Sequence, residues 1–364
     1  MPDPIAERAF PMGVEATVAL HEATKALERL QHTPTRLATL GAVAQNLLRS
    51  ESVASSRIED VLISHKRLAR AAHLSPAARR RDSRAEAVLG NVEAMRRAVE
   101  LGAESSIGVA ELVEIHRLLL GSTPDRAIAG VVRERQNWIG GNPYNPLEAA
   151  FVPPPPELVP ELLEDLCRFI GRNDLPPVIQ AAIAHAQFET IHPFADGNGR
   201  AGRALIYAVL RRRGELERYI PPISLLLAAA PAIYVAGLHS YRRGDASEWC
   251  EQFAAATASA AGEAERLAEE IESQEKEWLE RAGSPRRDSA ARLLIAALPE
   301  QPVLDAADAQ RLTGRSHVAA NNALAQLEAA GILRRLNQGK WGRVWECDEL
   351  LDLVEDFERT VAIR

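Results

Sequence analysis

The sequence predicts a mainly α-helical protein, and three observations point there. The chain is rich in alanine and leucine and poor in aromatic residues, which make up 5% of it. Apolar residues recur at helical spacing, as in 176–191 and 201–213. Strand-like runs bounded by turn residues are confined to two short stretches, within 131–152 and 332–347.

At 364 residues the chain has room for two or three domains. A net charge of −7 argues against a general nucleic-acid binder. Cys167, Cys250 and Cys347 are scattered, odd in number and without a CxxC pair, which points to a reducing compartment and no zinc site. The opening MPDPIAERAF has neither the basic nor the apolar region of a signal peptide, so a cytoplasmic protein away from the membrane is expected.

Along the chain, residues 1–104 read as an Arg-rich helical region. Within it, 52–63 reads SVASSRIEDVLI. Ser55 and Glu59 are four apart and share a face if this is helical; taken alone, the segment is a capped helix start. The run Arg79-Arg80-Arg81 with Arg84 reads as a solvated loop or helix end. A core is expected over 105–258. Its segment 131–139 is strand-like, Gly140-Gly141-Asn142-Pro143 is a turn signal, and 149–152 returns as a second strand before four prolines end any pairing. A hairpin in a helical protein leaves an exposed edge. It is either a capped surface hairpin or a docking edge for an extended target segment.

Two helices follow, 176–191 and 201–213, the second with Leu205, Ile206, Val209 and Leu210 on one side. Pro193 stops the first just beyond His192. The uncharged stretch 220–238 is long enough to suggest a membrane span, but Pro221, Pro222 and Pro231 interrupt it and it reads as buried core. Residues 259–287 form a connector. There 263–281 is a charged helix with Leu267, Ile271 and Leu279 along one side, a connector or homodimer element, and Gly283-Ser284-Pro285 is a linker signal.

The texture changes over 288–347. Helices are expected at 290–297 and 304–312, a turn at Thr313-Gly314, and a third helix at 317–330 capped by Ser316 and ended by Gly331. Two strands, 332–336 and 343–347, flank a turn at Asn337-Gln338-Gly339. Residues 348–364 read as a C-terminal helix.

The chemistry concentrates between the two central helices, where 192–203 reads HPFADGNGRAGR. Gly197-Asn198-Gly199 can take backbone conformations closed to other residues. Successive N–H groups can then form an anion nest backed by the dipole of the following helix. Arg200 and Arg203 are three apart on the first turn of that helix, and the planar guanidinium grips two phosphate oxygens at once. Asp196 can hold Mg²⁺ bridging phosphate oxygens. His192 is the one group in the loop whose reference pKa lies near neutral, which suits a general base on an incoming hydroxyl. Phe194 reads as a core anchor that pins the loop.

This string resembles the signature of the Fic family, His-x-Phe-x-Asp/Glu-Gly-Asn-Gly-Arg-x-x-Arg, with every fixed position present. The resemblance implies a Fic-type helical core and a protein adenylyltransferase, moving AMP from ATP to a Ser, Thr or Tyr hydroxyl of a target protein. It implies His192 as the base, Asp196 as the Mg²⁺ ligand, Asn198 and the amides of Gly197 and Gly199 at the α-phosphate region, and Arg200 and Arg203 on the β- and γ-phosphates. Gly199 favours AMP transfer, because the Doc-like kinase branch has Lys at this position. The segment at 130–156 resembles the Fic flap, which holds the target's backbone over the active site. Arg133, Gln136, Ile139, Gly140 and Gly141 match its pattern. Residues 55–60 resemble the inhibitory helix, Ser/Thr-x-x-x-Glu-Gly/Asn, in which the Glu, here Glu59, pairs with the second motif arginine, here Arg203. Asp60 departs from the Gly/Asn position, and Asp also tolerates unusual backbone angles.

Residues 288–347 resemble a winged helix-turn-helix. Their presumed recognition helix carries no Lys or Arg. Asn321, Asn322 and Gln326 could read base edges, with phosphate grip left to Arg315, Arg334, Arg335, Lys340 and Arg343. Two function classes follow. One is an AMP-transferring enzyme, capable of self-modification and of AMP removal as an open alternative. The other is a DNA-binding regulator with the Fic core as its sensor. The complete motif favours the enzyme.

Overall fold

The computed structural model describes residues 2–32, 37–79, 81–104, 106–142, 144–337 and 342–363. Arg80, Pro143, Gln338, Gly339 and Lys340, named above, lie outside the described residues. The helices are α1 (Val14–His32), α2 (Leu37–Ile58), α3 (His65–His73), α4 (Pro76–Arg79), α5 (Ser83–Ala103), α6 (Val109–Leu120), α7 (Val159–Ile170), α8 (Pro177–Ile191), α9 (Asn198–Arg212), α10 (Ile223–Ala229), α11 (Pro231–Arg242) and α12 (Ala246–Arg281). After them come α13 (Ala290–Ala297), β1 (Val303–Asp305), α14 (Ala306–Thr313), α15 (His317–Ala329), β2 (Arg334–Arg335), β3 (Val344–Glu346) and α16 (Asp348–Ile363). The protein is mainly helical, as expected.

The central pair is α8 and α9. Residues 178–191 of α8 and 198–210 of α9 are all buried, as a helix must be when it has no solvent face. Helices α1, α7, α11 and α12 surround α8, while α2, α5 and α6 cover α9. One polar group buried with α8 is put to structural use. The Gln180 side-chain amide donates to the carbonyls of Phe169 (2.9 Å) and Ile170 (3.1 Å), closing the C-terminus of α7. Pro177 starts α8 at the helix position that needs no N–H.

The segment expected to form a hairpin is extended but makes two isolated bridges rather than a ladder: Val132 with Phe194 and Ile139 with Phe151. Its first half is drawn to the loop after α8, where the Arg133 N–H donates to the Pro193 carbonyl (2.9 Å). Its return is interrupted by a 3-10 turn at Pro146–Glu148. One bridge, at Ile139, closes the hairpin.

The stretch read as buried core forms α10 and α11, bent by 102° about Ala230 and Pro231. Tyr234, Leu238 and Tyr241 of α11 are buried, whereas Ile233 and Val235 are 57% and 48% exposed. Among the described residues no single helix is long and apolar enough to cross a membrane. Helix α12 runs unbroken through residue 258, where a boundary was expected, and lies along α1. Leu267, Ile271 and Leu279 are buried within the chain.

The C-terminal part differs from expectation at one element. The run 304–312 was expected to be all helix. Instead Val303 and Leu304 pair with Glu346 and Trp345 of β3, and the helix begins at Ala306. Asp305 sets that start, its carboxylate accepting from the N–H groups of Ala307 (2.8 Å) and Asp308 (2.9 Å). The antiparallel sheet has the order β1-β3-β2. The Ser316 hydroxyl caps α15, and Gly314 takes a left-handed conformation (φ 62°) after α14. This part is tied to the segment after α2 by charge. Arg70 donates twice to the fully buried Glu346 carboxylate (2.8 and 2.9 Å), and Lys66 meets Asp348 and Asp352, each at 2.7 Å.

Candidate active site

The loop between α8 and α9 is built to hold its shape without help from a ligand. His192 ends α8 in a left-handed conformation (φ 50°, ψ 60°), and Gly197 repeats that conformation (φ 76°) at the start of α9. Phe194, fully buried, stacks on His116 with ring centroids 3.7 Å apart. The His116 ring joins the Asp196 carbonyl (2.9 Å) to the Gly130 N–H (3.0 Å). It must therefore donate from Nε2 and accept at Nδ1, the neutral form, and burial pushes its pKa down to about 4. Asn198 accepts from the Phe194 N–H and donates to the Phe194 carbonyl, both at 2.8 Å. Its side chain thus staples the loop.

Beneath the flap this loop opens on a cavity of about 370 Å³. His192, Asp196, Gly197, Asn198, Gly199, Arg203, Glu59 and the flap's Ile139 all line it. At the N-terminus of α9 the first N–H groups have no carbonyl within the helix to bond. Arg200 is buried beside the cavity, 3.5 Å from the Asp196 carboxylate. The Asp196 side chain itself is 59% exposed.

Arg203 is 1% exposed, and the end of α2 holds it. Its Nε donates to the Ser55 hydroxyl (2.9 Å), and one Nη donates to both the Ser55 carbonyl and the Glu59 carboxylate (2.8 Å each). The helix stops at Ile58, so Glu59 sits just past its end rather than on it. Asp60 takes a positive φ of 59°, a conformation that Gly and Asn adopt readily and that Asp also tolerates. A Cβ on Gly199 would overlap the Glu59 carboxylate. Glycine there is what lets the carboxylate lie against the start of α9.

Charge in the site follows from these contacts. Burial opposes ionisation of Glu59, but Arg203, through charge and hydrogen bond, then Arg200 and His192, hold its pKa below the usual carboxylate range. His192 departs from expectation. Burial, then the charges of Arg242 and Arg133, push its pKa down to about 4, so it is a neutral imidazole at physiological pH rather than a group titrating there. The carboxyl near neutrality is Glu189, pushed up to about 7 by burial.

The flap residues divide. Gly140 and Gly141 form the turn with φ of 77° and 71°, and the exposed Gln136 donates to the Pro153 carbonyl (3.0 Å). Arg133 does not face a docking surface. It is 5% exposed and donates to the carbonyls of His192 (2.8 Å) and Pro154 (2.6 Å), binding flap to loop. Sequence reading missed Glu189, Tyr234 and Arg242, which also line the cavity. Glu189 precedes His192 by three positions, one helical turn, and that spacing was visible; Tyr234 and Arg242 arrive from α11 with no local signal.

In the C-terminal part, the arginines considered for phosphate are largely engaged. Arg334 pairs with Glu346, Arg335 with Glu328 (2.8 Å), and Arg315 donates to the Asp288 carbonyl (2.7 Å). Asn321 donates back to the His317 carbonyl (2.9 Å).

Comparison with known proteins follows the same geometry. The family model described as "Fic/DOC family" matches residues 106–210, and "Fic/DOC family N-terminal" matches 17–100. The chain is 34% identical over 142 residues to the protein adenylyltransferase fic-1 of Caenorhabditis elegans, covering 38% of this chain and 25% of that protein. It is 34% identical over 118 residues to the protein adenylyltransferase Fic of Drosophila melanogaster, covering 32% and 22%. It thus spans about a quarter of the length of these relatives. A Fic family protein from Desulfovibrio desulfuricans has the same fold, with a TM-score of 0.57 at 20% identity, covering 93% of this chain and 97% of that one. A Fic-domain-containing signaling protein from Bacteroides thetaiotaomicron gives 0.56 at 18% identity, covering 69% and 97%. The two family matches together cover more than half of the sequence and enclose both the loop and the segment that holds Arg203, and the chain belongs to the Fic/DOC family.

Proposed function

We propose that this protein transfers AMP from ATP to a hydroxyl side chain of a target protein and that Glu59 holds it in an inhibited state. The observation that carries this reading is the meeting, in one cavity, of a neutral imidazole, a helix N-terminus and an arginine already bound by a carboxylate. ATP places its phosphates over the start of α9, where free N–H groups and the helix dipole favour anions. Arg200 and Arg203 take the distal phosphates. The Asp196 carboxylate, exposed at the cavity, is the hard oxygen donor that Mg²⁺ takes alongside waters and phosphate oxygens; the ion, when bound, neutralises phosphate charge.

The target hydroxyl oxygen bonds to the α-phosphorus, the bond from that phosphorus to the bridging oxygen breaks, and pyrophosphate leaves. His192 takes the hydroxyl proton. Nδ1 of His192 is turned towards Glu189, which leaves Nε2 for that proton. The imidazole is unprotonated at neutral pH and needs no prior deprotonation. The relatives named above carry the same activity in their names, and the Gly199 notch favours this reading over phosphate transfer.

Glu59 occupies Arg203 and the space over Gly199, so the γ-phosphate cannot take the pose that puts the α-phosphorus in line with the hydroxyl. Positioning and electrostatics supply most of the catalysis in phosphate chemistry, so this one contact suffices for inhibition. The C-terminal part, read as a winged helix, serves as a packing or protein-binding unit, since Arg334 and Arg335 are turned to its own carboxylates and the presumed recognition helix carries no Lys or Arg. The test is parallel incubation with α-labelled and γ-labelled ATP, using the wild type and Glu59→Gly. Protein-bound label from the α position alone, stronger in the variant, is expected. Label from the γ position would replace AMP transfer with phosphate transfer.

A further inference from the structure

Behind His192 lies a carboxylate with no assigned task. Glu189 is on the last turn of α8 and is 6% exposed. Its Oε1 has no hydrogen-bond partner, and Nδ1 of His192 makes no hydrogen bond of good geometry, with the Glu189 backbone carbonyl also beside the ring. The two side chains face each other, with Nδ1 4.0 Å from Glu189 Oε2. Buried polar atoms left without partners call for an explanation, and here the orphaned Nδ1 of His192 is one small movement from Oε2 of the carboxylate whose other oxygen is also orphaned.

The surroundings keep the carboxylate in place. A Cβ on Gly202 would lie 2.7 Å from Glu189 Oε1, so the glycine between the motif arginines is the notch that admits it. Arg242 reaches over the last turn of α8, donating to the Glu189 carbonyl (3.3 Å) and to the Thr190 hydroxyl (3.4 Å), while its guanidinium covers Phe151 at 3.8 Å. Arg203 does not depend on Glu189 for neutralisation, because Glu59 and Ser55 already engage it.

We propose that Glu189 is the positioning residue for His192: its carboxylate accepts the Nδ1 proton, fixes the imidazole in the Nδ1–H tautomer, and so presents the Nε2 lone pair to the target hydroxyl. The proposal rests on the AMP-transfer reading for its purpose, but the contact itself does not. A base oriented by a third group is the general logic of activated hydroxyls. Burial and the neighbouring Arg242 and Arg133 charges make His192 a weak base. A carboxylate on its far nitrogen stabilises the imidazolium formed during transfer, and the proton taken at Nε2 returns to solvent as product leaves.

The same arrangement sets a pH dependence. The charged and titratable groups around Glu189 are His185 and His192 from its own helix and turn, Arg203 from α9, Tyr234 and Arg242 from α11, and Glu59 from the end of α2. The working form has Glu189 ionised and His192 neutral. With Glu189 near 7 and His192 near 4, transfer should rise with pH through about 7.

The test uses the full chain carrying Glu59→Gly, labelled with ¹⁵N-histidine, with and without Glu189→Gln. Long-range ¹H–¹⁵N correlation at pH 7.5 reads the His192 tautomer directly. The Nδ1–H form is expected with Glu189, and a shift towards Nε2–H with Gln, whose amide can donate to Nδ1. In parallel, kcat for AMP transfer should fall about 10²-fold, the low end of what a whole general base contributes. KM for ATP should stay the same, and the rise through pH 7 should disappear. Should the Gln variant not fold, Glu189→Asp keeps the charge and withdraws it by one methylene, and a mixture of tautomers is expected. An unchanged Nδ1–H signal in either folded variant overturns the proposal and gives the role to the Glu189 backbone carbonyl. A tautomer shift in a protein that transfers no AMP supports the positioning role and removes the AMP-transfer reading instead.

Discussion

Glu59 and Arg203 stand 144 positions apart in the chain and meet at 2.8 Å. The arginine is buried, while the glutamate side chain remains about a third exposed, at 36%. The pair is therefore asymmetric: the cation is fixed, and the carboxylate sits at the chain end of a helix from which it can withdraw. Replacing Glu59 with Gly should raise AMP transfer at least 10-fold at saturating ATP, because it frees both Arg203 and the space over Gly199. Arg203→Ala should not do so, since it removes the phosphate ligand with the latch. Because the Glu59 carboxyl is held below its usual range, it stays ionised at neutral pH. Its stabilising contribution is lost only as the pH falls through that depressed value. Wild type and Glu59→Gly should then differ in rate across pH 6 to 8. Equal rates in that window, with both proteins folded, would remove the latch.

Buried histidines should make the fold acid-sensitive. His116 and His192 are pushed down to about 4 and His185 to about 3, burial being the largest cause in each case. Their unfolded value lies near 6.5. Between these limits the unfolded chain binds protons that the folded chain refuses, so stability falls as the pH drops below 6.5. Each such group contributes on the order of 1 kcal/mol per pH unit once the unfolded form is protonated. His192→Gln should remove one share of this slope. Denaturant melts from pH 7 to 5 check it, and identical slopes for wild type and variant would contradict the low pKa assigned to His192.

How far the site was legible in the sequence follows from how its parts are encoded. The run from His192 to Arg203 is local: the turn glycines, the helix start and the side chains that line the cavity are contiguous, so spacing alone placed them. Glu59 was found because a pattern of five positions survives apart from its partner. Arg133 was found as part of the flap, but its inward orientation was not, since nothing in a strand-like run tells which face will be drawn to the loop after α8. Tyr234 and Arg242 reach the cavity through the bend between α10 and α11, a tertiary fact with no local trace. In the same way Leu304 looks helical until β3 offers Trp345 as its partner.

Asp196 beside an anion cradle is unfavourable unless a cation accompanies the phosphates. Its side chain is mostly exposed, and among the described residues its ion-pair contact is the 3.5 Å approach of Arg200. Asp196→Ala should therefore leave stability within about 0.5 kcal/mol, as for a surface site, yet abolish metal-dependent transfer. Thermal melts read the first quantity, and label transfer with Mg²⁺ or EDTA the second. Equal transfer in EDTA would remove Asp196 from metal binding.

Arg133 offers a separation between docking and positioning. It donates to the carbonyls of His192 and Pro154, and its backbone N–H donates to the Pro193 carbonyl, so one residue ties the flap to the loop after α8. Burial lowers its pKa, yet the guanidinium remains charged and needs those carbonyls. Arg133→Ala leaves buried acceptors without donors, at about 1–3 kcal/mol for each such group, and lets the His192 backbone drift. The expected result is a lower melting temperature together with a lower kcat for self-modification and for any protein target, with KM for ATP little changed because the start of α9 is untouched. Lysine would restore charge without the forked geometry and should recover only part of the loss. A docking residue behaves differently: its removal raises KM for the target, leaves self-modification and stability alone, and tolerates lysine. Measuring kcat, both KM values and the melting temperature on the two variants decides between these patterns. The inward orientation of Arg133, 5% exposed, predicts the first.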